Sequence, residues 1–130
     1  MKYQLHDCEL SSISLENNRI ILSFPNGFCI EDNGVLKLDP SRKTLAFTID
    51  KGLIPNESLD SFFSIRLSKK GKSWKNISFN RLTTLFRKRS MLVYDEFDSK
   101  LGDRKLFQLN SCTDQLNIEL LIEDITDITY

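Results

Sequence analysis

The chain has one histidine, one tryptophan, three cysteines, three prolines and five glycines in 130 residues, and each scarcity closes off a chemistry. A lone histidine, His6, does not supply the several nitrogen and sulfur ligands of a zinc site, and His6-Asp7 lacks the further ligands of metal phosphohydrolases. The cysteines, at 8, 29 and 112, are odd in number and irregularly spaced, with no Cys-x-x-Cys pair. They indicate neither a disulfide framework nor a zinc knuckle, and their apolar neighbours read as reduced, mostly buried thiols. The glycines form no Walker-type loop and no dinucleotide fingerprint, and there is no Gly-x-Ser-x-Gly elbow. Met1–Asp7 lacks the apolar stretch of a signal peptide, and no run is long enough to span a membrane. The expectation is a cytoplasmic protein with no metal, no cofactor and no membrane partner.

One kind of charge is also missing from a third region of the chain. No aspartate or glutamate occurs between Ser61 and Tyr94, yet nine of the eighteen cations do: Arg66, Lys69, Lys70, Lys72, Lys75, Arg81, Arg87, Lys88 and Arg89. Formal net charge is zero, but the segments 1–60, 61–94 and 95–130 carry −3, +9 and −6. Such polarity recruits an anionic partner or lets one part of the fold neutralise another. The length is that of one domain, 1–130, able to bury roughly two-thirds of the surface of the unfolded chain.

Turn chemistry organises the first half. Asn17-Asn18 suits a two-residue hairpin turn and would set Glu16 opposite Arg19, Leu15 opposite Ile20 and Ile13 opposite Leu22. Pro25-Asn26-Gly27 reads as a three-residue hairpin loop, with Phe24 opposite Phe28 and Leu22 opposite Ile30. Both registers put the same apolar set on one face. The alternation continues through Val35–Leu38 and, after a turn at Asp39-Pro40-Ser41, through Thr44–Ile49. A connector at 51–60 precedes a strand at Phe62–Leu67.

After Lys69-Lys70-Gly71-Lys72-Ser73 the apolar period changes to that of a helix. Ser78 is a suitable cap, Phe79, Leu82, Leu85 and Phe86 form a stripe, and Arg87, Lys88 and Arg89 would occupy the final turn of a helix over Ser78–Arg89. Strand patterns return at Met91–Phe97, Lys105–Asn110 and Leu116–Glu123. This order predicts an α+β fold: a mainly antiparallel curved sheet or partly open barrel of eight or nine strands, with one principal helix near 78–89.

Candidate chemistry is sparse. In a strand, His6 and Cys8 would share a face as a nucleophile pair, while the structural alternative is that His6 and Asp7 fix the start of the first strand by hydrogen bonds. Carboxylates gather at Asp95, Glu96 and Asp98 and at Glu123, Asp124 and Asp127, as acid–base or magnesium ligands or as solvated strand ends. The stronger signal is the set Lys69, Lys70, Lys72, Trp74, Lys75, Arg81, Arg87, Lys88 and Arg89. Cations around an indole suit a phosphate backbone with a stacked base, although an isoelectric point near 6.6 is low for a nucleic-acid protein. The same set suits an acidic protein surface, or the acidic tail of a second copy, with Trp74 then a core or helix-packing anchor.

The opening Leu5-His6-Asp7-Cys8-x-Leu10 with Ile13, the run Phe24-Pro25-Asn26-Gly27-Phe28, the helix Phe79-x-x-Leu82-x-x-Leu85 and the terminal strand Ile118–Ile125 resemble a group of small bacterial single-domain proteins whose members are uncharacterised or are placed among the immunity proteins of polymorphic toxin systems. The resemblance implies a cytoplasmic, non-enzymatic protein that works by binding another protein. It carries over no catalytic residue and no cofactor. Nucleic-acid binding through the basic segment 66–89 is the alternative expectation.

Overall fold

A computed structural model of the protein describes residues 2–50, 63–111 and 113–130. The connector at 51–60, the expected strand start at Phe62 and the third cysteine, Cys112, lie outside the described residues. In chain order the elements are β1 (Lys2–Gln4), β2 (Glu9–Leu10), β3 (Ser12–Glu16), β4 (Arg19–Ser23), β5 (Phe28–Asp32), β6 (Val35–Asp39) and β7 (Thr44–Ile49). Further along the chain come β8 (Phe63–Lys69), β9 (Lys75–Asn76), helix α1 (Phe79–Phe86), β10 (Met91–Asp98), β11 (Lys105–Ser111), β12 (Leu116–Ile122) and β13 (Ile125–Thr129).

The strands form three sheets, ordered β1-β5-β6, β2-β10-β11-β12-β8-β9 and β13-β7-β4-β3, and none closes into a barrel. Every pairing among the described strands is antiparallel. The fold is α+β and dominated by its sheets, with thirteen strands among the described residues rather than eight or nine, because short pieces such as β1, β2 and β9 carry no alternation of their own.

The Asn17-Asn18 hairpin has the expected register: Glu16 faces Arg19, Leu15 faces Ile20 and Ile13 faces Leu22. Both asparagines have positive φ, 48° and 67°, the backbone of a primed two-residue turn. The turn at 25–27 forms as well, with the Gly27 amide donating to Phe24 O at 3.0 Å, but it makes no hairpin. β4 pairs β3 and β7, whereas β5 pairs β1 and β6, so this turn carries the chain from one sheet into another. Phe24 and Phe28 still meet, edge to face at 5.4 Å between ring centroids, across the corner between sheets. Gly27 has φ +81°, and a Cβ there would collide with Asp39 O, so the corner requires glycine.

The expected terminal strand also divides. β12 lies in the six-stranded sheet, Asp124 turns with φ 57°, and β13 joins the four-stranded sheet beside β7. Ser78 caps α1, its Oγ accepting from the Arg81 amide at 3.1 Å. The helix ends at Phe86 with Arg87 as its C-cap, so the three cations fall beyond the final turn rather than in it. Arg89 still serves the helix end: Nη1 donates at 3.0 Å to Leu85 O, a carbonyl that also accepts from the Lys88 amide at 3.4 Å.

Buried residues from all three sheets and from α1 make one apolar cluster, in which Phe47 of β7 meets Phe107 of β11 at 5.7 Å. Phe79, Leu82, Leu85 and Phe86 are its helical contribution, with α1 lying against β3 and β8.

Candidate functional site

The basic segment folds partly back on the acidic one. β8 pairs β12 throughout, Arg66 Nη2 lies 2.8 Å from Glu119 Oε1, and Arg89 Nε lies 2.7 Å from Asp114 Oδ2. Asp114 also accepts from the Ser111 hydroxyl. That bond first, with Arg89 adding to it, holds the Asp114 carboxyl below the usual carboxylate range. The other seven cations of the segment have no ion-pair partner among the described residues.

The pleat then sorts the candidates. On β8, Leu67 and Lys69 point toward α1, while Arg66 points to the outer face of the sheet. On the α1 side, Lys69, Arg81, Lys88 and Arg89 line a groove of about 160 Å³ whose floor is Leu67, Leu85 and Leu116. Asp114 is the one acid among the described residues of this lining, and Arg89 answers it. Lys69, Arg81 and Lys88 are exposed and leave the groove with an excess of positive charge.

Trp74 is neither in that groove nor in the core. It is 43 % exposed and stands over Arg66, whose guanidinium carbon lies 5.4 Å from the indole centroid. Lys70, Lys72, Lys75 and Arg87 are exposed and line neither the groove nor the cleft beside Trp74. The loop that holds Lys70 and Lys72 is nonetheless fixed: Lys70 and Gly71 have positive φ, the Lys70 amide donates to Gln115 O, and the buried Ser68 hydroxyl donates to Lys72 O at 2.6 Å. Of the nine candidates, four converge and the tryptophan belongs to a different face.

His6, Asp7 and Cys8 lie in the turn joining β1 to β2, beside a cleft of about 550 Å³ that Cys29 also lines. The Asp7 amide donates to Val93 O, the Val93 amide donates to Cys8 O, and His6 Nδ1 meets Tyr94 O. These bonds fasten the N-terminal turn to β10. Because the segment turns, His6 and Cys8 do not share a strand face. His6 is exposed beside Asp7 at 3.3 Å, and the Cys8 thiol is buried against the carbonyls of Gln4 and His6. Burial raises the thiol's pKa, the opposite of what a nucleophile needs.

The carboxylates at 95–98 are organised by a residue with no obvious signal in composition. Lys105 is only 5 % exposed, and its ammonium donates to Glu96 Oε1 at 2.7 Å and Asp98 Oδ1 at 2.6 Å. The Tyr3 hydroxyl donates to the same Glu96 oxygen at 2.6 Å. Burial, then the Glu96 charge, pushes the Tyr3 phenol far above its ordinary pKa. Among the described residues no cluster of His, Cys, Asp or Glu is arranged to hold a metal ion. No described helix is long and apolar enough to cross a membrane.

Comparison of the chain with protein-family models, with curated proteins and with solved structures found no match.

Proposed function

We propose that the protein is a binding module that does no covalent chemistry, and that it holds an acidic segment of another protein in the groove between α1 and the β8–β12 pair. The observation carrying this reading is the convergence of Lys69, Arg81 and Lys88, all without ion-pair partners among the described residues, over an apolar floor. Exposed cations supply attraction and orientation, and Leu67, Leu85 and Leu116 give a partner apolar surface to cover. The titratable groups elsewhere favour the same reading: Lys105 is committed to Glu96 and Asp98, and the Cys8 thiol is desolvated. In the form the sequence resemblance suggests, the partner is a cytoplasmic toxin that this protein captures.

A protein partner is preferred over a nucleic acid because the indole that would stack a base is on the other face of β8 from the groove cations. Anisotropy of a labelled oligoglutamate peptide and of a labelled single-stranded oligonucleotide, at about 50 and 200 mM salt, tests the choice. Peptide binding lost in Arg81→Glu/Lys88→Glu supports the groove. Tighter, steeply salt-dependent oligonucleotide binding contradicts it.

A further inference from the structure

The outer face of the six-stranded sheet carries a second site, independent of the groove. Trp74 and Tyr94 are 43 % and 56 % exposed, and with Gln108, Asn110, Asn117 and Glu119 they line a cleft of about 210 Å³. Strand register builds its floor: Asn110 lies directly opposite Asn117, and Gln108 directly opposite Glu119, on β11 and β12. A register shift between Val93 and Asp95 in β10 makes Tyr94 the extra residue of a bulge, a device that re-aims a side chain.

Both aromatic walls are buttressed. Arg66 stacks on Trp74 and is itself held by Glu119 at 2.8 Å. The His6 ring lies 6.2 Å from the Tyr94 ring, and His6 Nδ1 is hydrogen-bonded to Tyr94 O. Rings already held in place lose little freedom when a ligand arrives. The Glu119 charge is answered by Arg66, and among the described residues no cation lines the cleft, so it offers neutral polar groups between aromatic faces.

We propose that this cleft binds one ring of a neutral saccharide. A sugar ring has a face of C–H groups made electropositive by neighbouring oxygens, which suits the negative face of an aromatic ring. Its hydroxyls each donate and accept, as do the side-chain amides of asparagine and glutamine. A nucleotide would need unpaired cations for its phosphate, and the described residues of the lining include none. The volume admits a single ring, so a longer glycan would extend out over the rim.

Trp74 is the only tryptophan, so its emission reports this cleft alone. The full-length protein is titrated with glucose, galactose, N-acetylglucosamine and their β-linked disaccharides. At least one gives a saturable change with a Kd of about 1 mM, the same at about 50 and 500 mM salt. Asn117→Ala and Tyr94→Ala, both at exposed positions, each weaken it about tenfold or more while circular dichroism is unchanged. Trp74→Ala, followed by saturation-transfer NMR on the sugar, abolishes it. No saturable response to any of these sugars at about 20 mM overturns the proposal, as does undiminished binding by Asn117→Ala and Tyr94→Ala. Tighter binding of adenosine monophosphate, weakening with salt, would overturn it in favour of a nucleotide. Because the groove is on the other side of β8, loss of acidic-peptide binding leaves this result untouched.

Discussion

The Lys105 ammonium lies 2.7 Å from Glu96 Oε1, the oxygen that also accepts from the Tyr3 hydroxyl, so one carboxylate joins β10 and β11 of the six-stranded sheet to β1 of the three-stranded sheet. Asp98, paired with Lys105 across the two strands, completes the cation's coordination. Every charged group of this network has a partner, and no buried side-chain polar atom among the described residues lacks one.

Removing the cation therefore costs more than removing one anion. Lys105→Met leaves Glu96 desolvated beside Asp98 and should lower stability by about 3–5 kcal/mol. Glu96→Gln leaves Lys105 paired with Asp98 and should cost about 1–2 kcal/mol, with Tyr3→Phe near 1 kcal/mol. Urea denaturation midpoints give the ranking. Equal losses for Lys105→Met and Tyr3→Phe would contradict it.

Two glycines with nearly the same backbone should answer differently to alanine. Gly27, with φ +81°, has Asp39 O and Pro40 Cα where a Cβ would go, whereas Gly102, with φ +73°, has open space. Gly102→Ala should cost about 1 kcal/mol, the backbone strain alone. Gly27→Ala adds a clash with main chain at the corner between sheets and should cost clearly more. Thermal denaturation of the two variants side by side checks the difference.

The Asp114 link should make stability depend on acid. Its folded-state pKa is depressed, chiefly by the Ser111 hydrogen bond, so the ionised form is the one the fold favours. The contribution is complete above the ordinary aspartate pKa of about 4, shrinks as pH falls, and is gone once pH passes below the depressed folded value. Wild type and Asp114→Asn should differ in denaturation midpoint near neutrality and converge at low pH. A gap that persists unchanged into strong acid would contradict this.

Much of the fold was legible because local chemistry and burial agree. Asn17-Asn18 supplies the turn, and the opposed pairs match on both faces, so the β3–β4 register follows from the sequence. Leu116, Ile118, Leu120 and Ile122 alternate as the buried side of β12 for the same reason. At Pro25-Asn26-Gly27 the turn was legible but its partners were not, since a tight turn and two flanking phenylalanines serve a corner between sheets as well as a hairpin. The close approach of Asp39 that makes Gly27 necessary is a long-range fact.

The sites were legible as composition and not as geometry. The basic run showed in the sequence, but which cations share a face depends on the phase of β8 and on where the 70–74 loop returns. Lys105 was missed although a signal existed: it is in phase with Phe107 and Leu109, and Glu96 and Asp98 sit two apart on the preceding strand. Tyr94 gave less warning, because a bulge is not visible in alternation.

The central claim is that the pleat of β8 divides the basic segment into two faces with separate tasks. The most direct test is oligoglutamate anisotropy on wild type, Trp74→Ala and Arg81→Glu/Lys88→Glu, each confirmed folded by circular dichroism. Binding should be unchanged by Trp74→Ala and weakened about tenfold or more by the double reversal. Comparable loss in Trp74→Ala, or undiminished binding after charge reversal, would contradict the account.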